Sequence, residues 1–215
     1  MAIPVYRKIP IDQYNAIEEE DQQRYEYHEG ELYVVNGGTL RHEIIASNVM
    51  LRIGTQLLDR DSKCRTFNAG VKIEVKDGLR YVYPDGAVIC DEALESGTVI
   101  GSVKNPIAII EVLSQGTQTY DWGLKARLYR SLPSVRAYIL LTQTQPSATI
   151  YQRKNHLTLW SCQDFYDLSD VLFIDCINVP IPLSQIYRDV KFDPIGDDFD
   201  PSQLLYEPIT PYGQP

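Results

Sequence analysis

The chain has few of the residues that define small cross-linked or zinc-binding scaffolds. Its 215 residues include only four cysteines, Cys64, Cys90, Cys162 and Cys176, with no CxxC pair among them. This irregular spacing fits neither a zinc knuckle nor a disulfide framework. A chain of this length can also bury enough surface to fold without a covalent staple. We therefore expect the cysteines to be reduced and mostly buried.

Long apolar runs are missing as well. No segment approaches the roughly 18 consecutive apolar residues that a membrane-spanning helix requires, and residues 1–8 lack the apolar stretch of a secretory signal. With 44% hydrophobic and 23% charged residues, the composition suits one good-sized core. We expect a soluble, cytoplasmic protein with one domain over residues 1–191, no membrane association and no organic cofactor.

Positive charge is also scarce, because 20 Lys and Arg residues face 29 Asp and Glu residues, for a net charge of −9. This balance argues against a nucleic-acid binder that relies on a broad basic face. The excess is local, however: residues 18–21 are four consecutive acids, and residues 192–215 contain five acids and no Lys or Arg. The rest of the chain is balanced enough for a local basic patch. The five prolines in 192–215 predict an extended, partly disordered acidic tail.

Hydrophobic periodicity predicts alternating strands and helices. The clearest helix covers 40–58, and a second follows from Thr117 to Leu132. Asp12 is predicted to cap a short helix through Glu20, and 182–190 to form a short closing helix. Residues 25–35 predict a turn at Gly30 that enters a strand, and further strands are predicted at 65–68, 71–76, 79–83, 86–90, 107–113, 136–142, 148–153 and 157–160. Asp77-Gly78 predicts a tight hairpin turn between two of them. The order gives a strand, helix, strand crossover followed by a meander.

One acid stands inside the most apolar run of the chain, Pro106 to Leu113, where burial of the lone carboxylate of Glu111 would cost several kcal/mol. Asp85 lies at the start of a predicted neighbouring strand, so the two carboxylates can meet at one end of the sheet. Mg²⁺ binds oxygen ligands of this kind, and the backbone carbonyl of Val112 could complete the protein's share. Such an ion would polarise a phosphate and activate a water molecule.

Lys125 is the candidate for a positive group beside that ion, where it would offset charge on phosphoryl oxygens. It shares a helix face with Asp121 and Tyr129 at a spacing of four residues. Alternatively, Asp121 and Lys125 form a surface pair worth about 0.3 to 0.5 kcal/mol, or Asp121 serves only the helix N-terminus.

Asp85 and Glu111 could also have purely structural roles. Asp85 follows Pro84 and could simply shape a turn. Glu111 could be neutralised by Lys125 or Arg127 in a structural ion pair.

Together these motifs resemble the Uma-two family of restriction-endonuclease-like proteins, within the PD-(D/E)XK nuclease superfamily. The resemblance covers roughly residues 12–189. It is carried by Pro84-Asp85, Ile109–Ser114, Thr117–Asp121, Lys125, Tyr129 and Val135–Leu141, with Gly30-Glu31-Leu32 and His42 upstream.

The resemblance implies an α/β (α+β) fold with a mixed central sheet flanked by helices, and a DNA endonuclease that uses Mg²⁺ or Mn²⁺ held by Asp85 and Glu111. The superfamily usually has a Lys two residues after the second acid, where this chain has Leu113. Lys125 on the following helix could replace it. The family's frequent Gly-Val-x-Glu-Tyr-Trp is also altered here, to residues 134–139. A catalytically inactive binding or scaffold module, and a metal hydrolase of small phosphoesters, are the alternatives.

The remaining polar candidates are weaker. His42 opens the long helix and could position water or contact phosphate, although a lone His at a helix start is more often structural. Glu31 could be a third acid, but an ordinary surface position is favoured. His28 and His156 are expected to be solvated. Cleavage of both DNA strands would require two sites, so a homodimer is expected.

Overall fold

The structure is a computed structural model that describes residues 4–114, 116, 118–154 and 159–192. Thr117, His156 and all but the first residue of the predicted acidic tail at 192–215 lie outside the described residues.

The apolar run around Glu111 forms the centre of a six-stranded sheet. Strand β8 (Ala108–Leu113) is buried along its whole length, as expected for a strand covered on both faces. It pairs in parallel with β9 (Ala137–Thr142) and antiparallel with β6 (Gly86–Cys90). The outer strands are β3 (Cys64–Asn68), β10 (Ala148–Gln152) and β11 (Ser161–Phe165), in the order β11-β10-β9-β8-β6-β3. The predicted mixed central sheet flanked by helices is confirmed.

The long amphipathic helix covers one face of this sheet. Helix α2 (Leu40–Asp59) begins after Thr39, whose side chain accepts a hydrogen bond from the backbone N–H of His42. Its spacing of apolar residues puts Ile45, Val49 and Ile53 on one stripe, all fully buried. That stripe packs on alternate residues of β8, Ala108, Ile110 and Val112, because successive strand residues point to opposite faces.

A second sheet, which the sequence did not predict as a unit, covers the opposite face. Its strands are β1 (Tyr25–His28), β2 (Glu31–Val34), β4 (Lys72–Val75), β5 (Arg80–Val82) and β7 (Ser102–Val103), in the order β2-β1-β5-β4-β7. The predicted turns at Gly30 and Asp77-Gly78 connect two of its hairpins, and both glycines adopt the left-handed φ values that turns need. Helix α1 (Ile11–Asp21) packs outside this sheet through Tyr14.

The predicted helix after β8 is present but changes geometry along its length. It consists of α3 (Gln118–Tyr120), a π-helical turn over Asp121–Lys125, and α4 (Ala126–Ser131). In the π-helical turn the backbone N–H of Ala126 bonds to the carbonyl of Asp121, five residues back. Such turns occur often at functional sites.

The C-terminal part of the described chain forms a small hairpin and a short helix. Strands β12 (Val171–Ile174) and β13 (Val179–Pro182) pair, and α5 (Leu183–Ile186) follows. That helix is shorter than the predicted 182–190. The strand predicted at 157–160 is wrong where it is described, because β11 begins only at Ser161.

Two further local predictions are corrected. Pro10, not Asp12, is the N-cap residue of α1, and no side chain caps that end. Cys64 and Cys90 are not reduced: they form a disulfide, because β3 and β6 pair in a register that sets them directly opposite, with Cα atoms 3.8 Å apart. Among the described residues Cys162 and Cys176 are free, Cys162 being exposed.

Candidate active site

Glu111 points to the side of β8 that faces the second sheet and α4. It shares this face with Ile109 and Leu113, and only 3% of the residue is exposed. Its Oε1 accepts hydrogen bonds from Lys125 Nζ at 3.0 Å and from Tyr129 OH at 3.0 Å. The ion pair with Lys125 that the sequence left open is therefore present.

This pairing does not fully compensate the buried carboxylate. Burial raises the pKa of Glu111 well above its ordinary value, and although Lys125 lowers it, the nearby carboxylates of Asp85 and Asp121 raise it further. The site thus has more buried negative charge than Lys125 alone can balance.

Asp85 directly precedes β6, and the β6–β8 pairing stops next to it, at Gly86 and Ile110. The backbone N–H of Val112 is consequently available, and it donates to Asp85 Oδ2 at 2.6 Å. Asp85 is thus bonded to the peptide group that follows Glu111. It does more than shape the turn after Pro84, because its carboxylate ties two strands of the sheet together at this end.

His42 approaches the same carboxylate from the first turn of α2. Its Nε2 lies 3.1 Å from Asp85 Oδ2, and its Nδ1 lies 3.3 Å from Glu43 Oε1. Burial lowers the pKa of His42, but the two carboxylates outweigh this effect and leave the pKa above its ordinary value. Gly38 makes room for the ring, since a Cβ there would collide with the imidazole. The predicted proximity of His42 to the site is observed.

Lys125 is buried beneath the site, so the alternative of a surface pair with Asp121 is wrong. Its Nζ donates to the carbonyl of Tyr83 at 2.8 Å and to Glu111 Oε1 at 3.0 Å. Carboxylates of Glu26 and Asp121 lie 3.2 and 3.8 Å away. Burial lowers the pKa of Lys125, but Glu111 and Glu26 outweigh it and raise the pKa well above its usual value. The ammonium stays charged at neutral pH.

Glu26 is a second acid that pairs with Lys125, and the sequence did not predict it. It lies on β1, with 6% of the residue exposed. Burial raises the pKa of Glu26, but Lys125 and hydrogen bonds from His28 and Tyr120 outweigh it, and the pKa falls to about 2. The only local signal is one acid between the aromatic residues of Tyr25-Glu26-Tyr27, in a strand that proves buried throughout.

The predictions for His28 and Glu31 have opposite outcomes. His28 is not solvated but buried, with Nε2 2.8 Å from Tyr120 OH, and its Nδ1 has no hydrogen-bond partner in the described structure. Glu31 is a surface residue, as favoured: its side chain is 41% exposed and accepts a hydrogen bond from Tyr33 OH at 2.7 Å.

A cleft of about 440 Å³ lies between α2 and β3. Asp85 and His42 line it, together with hydroxyl and apolar side chains such as Thr66 and Met50. The cleft gives Asp85 the solvent access that the more deeply buried groups lack.

The acidic side chains can be compared with the ligands that a hard divalent cation requires. In the described residues, no group of three or more His, Cys, Asp or Glu side chains is arranged to hold a metal ion. A Mg²⁺ site, however, needs only one or two carboxylates, with carbonyl, water and substrate oxygens as further ligands. The contacts of Asp85 and Glu111 with other described residues all use one oxygen, Oδ2 and Oε1 respectively. The second oxygen of each acid accepts no hydrogen bond from the described residues, which fits a cation ligand.

Comparison with known proteins gives the same family as the motifs. The Uma2 family, described as "putative restriction endonuclease", matches residues 11–176. Two uncharacterised Synechocystis proteins are similar: slr1290 is 29% identical over 187 residues, covering 87% of this chain and 95% of the relative, and sll1609 is 25% identical over 153 residues, covering 71% and 85%.

A solved structure has a similar fold. This protein from Anabaena variabilis, described as "a putative nuclease belonging to DUF820", superposes with a TM-score of 0.61 at 15% identity, covering 77% of this chain and 90% of the other. Within the described residues, no helix has both the length and the apolar character that a bilayer crossing demands. The family match extends over most of the chain, and the chain therefore belongs to the Uma2 family.

Proposed function

We propose that this chain is a DNA endonuclease that hydrolyses phosphodiester bonds with Mg²⁺ or Mn²⁺ at Asp85 and Glu111. One observation carries the proposal: the two acids are joined through the peptide group of Val112, and each keeps one carboxylate oxygen out of its contacts with the described residues. Such an arrangement concentrates negative charge at a single end of a rigid sheet. This arrangement supports a role for Asp85 and Glu111 as cation ligands better than a purely structural role.

The protein groups would divide the work as follows. Asp85, Glu111 and the carbonyl of Val112 would hold the ion, since the N–H and C=O of one strand residue point to the same side and the Val112 N–H already points to Asp85. When bound, the ion would polarise the phosphate and lower the pKa of a coordinated water. His42 would orient Asp85 through its 3.1 Å contact.

Lys125 would act through its charge. Its raised pKa keeps it protonated at neutral pH, which makes it an electrostatic stabiliser of charge developing on the phosphoryl oxygens and unsuitable as a base. In the hydrolysis, the water oxygen bonds to phosphorus while the bond to the leaving sugar oxygen breaks. One water proton is released to solvent, and the leaving oxygen gains a proton.

One observation favours a catalytically inactive binding or scaffold module as the second candidate. Leu113, at the usual lysine position, is packed in the core at 4% exposure, and Lys125 is held by Glu111, Glu26 and the carbonyl of Tyr83. A lysine so firmly held suits a structural role. Under this reading the chain would bind a partner and hydrolyse no phosphodiester.

Cation binding and cleavage together test the proposal. We expect 10 mM Mn²⁺ to raise the melting temperature of the wild type and not that of Asp85→Asn or Glu111→Gln, with Glu31→Gln as the surface control. Ligand at ten times its dissociation constant stabilises a fold by about 1.4 kcal/mol, or about 3–5 °C for a chain of this size. Plasmid and single-stranded DNA should be cut with Mn²⁺ and left intact with chelator.

The outcomes separate the candidates. Equal melting shifts in the wild type and both acid variants would refute the metal site. A specific shift without cleavage of any DNA would favour the inactive module, and cleavage of only a chromogenic phosphodiester would identify a small-molecule hydrolase.

The proposal also includes a homodimer, because cleavage of both strands of a duplex calls for two sites. Light scattering should then give twice the monomer mass of 24.5 kDa. Activity on DNA would require the compartment that holds it, in keeping with the expected cytoplasmic location.

A further inference from the structure

We propose that Glu26 is a positioning residue that fixes Lys125 and the segment leading to Asp85 at the same time. The inference rests on the proposed function. Glu26 comes from β1 of the second sheet, whereas Glu111 lies on β8 of the six-stranded sheet and Asp85 directly precedes β6 of that sheet. It therefore brings to the site a constraint from a different layer of the fold.

The first contact holds the lysine. Lys125 Nζ lies 3.2 Å from Glu26 Oε1 and 3.0 Å from Glu111 Oε1, so the ammonium is bound between two acids from different sheets. An ammonium has three protons to donate. With Tyr83's carbonyl as a third close acceptor at 2.8 Å, the position of Nζ is defined from three sides.

The second contact holds the chain before Asp85. The backbone N–H of Tyr83 donates to Glu26 Oε1 at 3.1 Å, and the carbonyl of Tyr83 accepts from Lys125. Glu26, Lys125 and the two polar backbone groups of Tyr83 thus form a closed loop of contacts. Since only Pro84 separates Tyr83 from Asp85, this loop restricts where the Asp85 carboxylate can lie.

The third contact orients Glu26 itself. Tyr120 OH donates to Glu26 Oε2 at 2.6 Å and lies 2.8 Å from His28 Nε2. Both carboxylate oxygens of Glu26 are therefore engaged, each by a different set of donors. A carboxylate fixed in this way is a rigid support for the lysine.

A merely structural ion pair is the competing explanation, and the chain offers a matched control. Glu74 is also a buried acid of the second sheet, at 8% exposure. It accepts from Tyr81 OH at 3.2 Å and pairs with Lys104 at 3.6 Å. None of these contacts involves Lys125 or Tyr83. Its replacement reports the general cost of losing a buried, paired acid in this sheet.

The experiment compares Glu26→Gln, Glu26→Asp, Tyr120→Phe and Glu74→Gln in the full chain. Gln keeps the length but loses the charge, and Asp keeps the charge but loses the reach. Cleavage of DNA with Mn²⁺ would be measured as kcat and KM at a temperature where every variant is folded. Mn²⁺ affinity would be followed separately by the electron paramagnetic resonance signal of the free ion.

We expect both Glu26 variants to lose about 10- to 100-fold in kcat or Mn²⁺ affinity, the usual effect of losing a group that orients a metal ligand. KM for DNA should stay unchanged, Tyr120→Phe should be intermediate, and Glu74→Gln should match the wild type. If Glu26→Asp retains full kcat and Mn²⁺ affinity, the negative charge of residue 26 is sufficient without its reach, and the positioning role is wrong.

The failure of the two proposals can be told apart. An active wild type with unimpaired Glu26 variants overturns only the positioning role. A wild type that binds Mn²⁺ without cutting DNA overturns the nuclease proposal, and the Mn²⁺ affinities of the Glu26 variants still decide the positioning role. A wild type that neither binds Mn²⁺ nor cuts DNA overturns both.

Discussion

Replacement of Lys125 by Met removes the only Lys or Arg that pairs with Glu111 and Glu26 in the described residues. The substitution keeps most of the side-chain volume, so packing changes little. The loss of one partner from a buried ion pair costs about 3–5 kcal/mol, since the remaining charge stays buried without compensation. With a urea m-value of about 2 kcal/mol/M, the unfolding midpoint should fall by about 2 M at pH 7.5.

The pH dependence of this loss can be worked out from Glu26. Its pKa is about 2 in the folded chain and 4.5 ordinarily, and Lys125 is the largest cause of the lowering. A lowered carboxyl pKa contributes stability above the unfolded value, which is lost as the pH falls from 4.5 towards 2. At 1.36 kcal/mol per pKa unit the contribution is about 3 kcal/mol. The deficit of the Met variant should therefore be full at pH 7.5 and shrink below pH 4.5.

Urea unfolding of the wild type, Lys125→Met and Lys104→Met at pH 7.5 and pH 3.5 provides the assay. Lys104 pairs with Glu74 at a half-exposed position, so its replacement should cost less than about 1 kcal/mol. A Lys125→Met variant within 1 kcal/mol of the wild type at pH 7.5, or a deficit of equal size at both pH values, would refute the electrostatic account of the site.

Two further predictions concern the scaffold around the site. The Cys64–Cys90 disulfide joins residues 26 positions apart. Replacing both cysteines by serine should therefore lower the free energy of unfolding by about 3.5 kcal/mol, the loop-closure entropy of a cross-link of this length. Reductant should lower the melting temperature of the wild type and leave that of the double variant unchanged. Gly86→Ala should cost about 1–3 kcal/mol because the new methyl group would overlap the buried side chain of Met50. Calorimetry should show a smaller cost for Gly86→Ala in a Met50→Ala background than in the wild type.

The secondary structure could be predicted where the pattern is local. The apolar stripe of α2 and the Asp77-Gly78 turn depend on residues close in sequence, and both are found as predicted. The second sheet could not be predicted as a unit, because its central pairing brings β1 next to β5, residues more than fifty positions apart. The disulfide escaped for the same reason, since only the β3–β6 register sets Cys64 opposite Cys90.

The proximity of the two acids could be predicted from the sequence, whereas the groups that contact them could be predicted less well. Asp85 and Glu111 were identified from a buried charge in an apolar strand and an acid at the start of its neighbour, a pattern within one sheet. Glu26 comes from the other sheet, and its approach to Lys125 depends on how two layers pack. Nothing local marks such an approach. The same limit explains the error at His28, which is buried through contacts with Tyr120 on a distant helix.

The replaced lysine can be understood from the geometry of β8. A lysine at position 113 would share a face with Glu111, because residues two apart in a strand point the same way. Here that position holds Leu113, which packs with Ile73 and Leu140 in the apolar core. Lys125 reaches the same carboxylate from the helix that lies over this face. Asp121 and Lys125 are both buried in the π-helical turn, so an ammonium lies against Glu111 while the strand keeps an apolar residue.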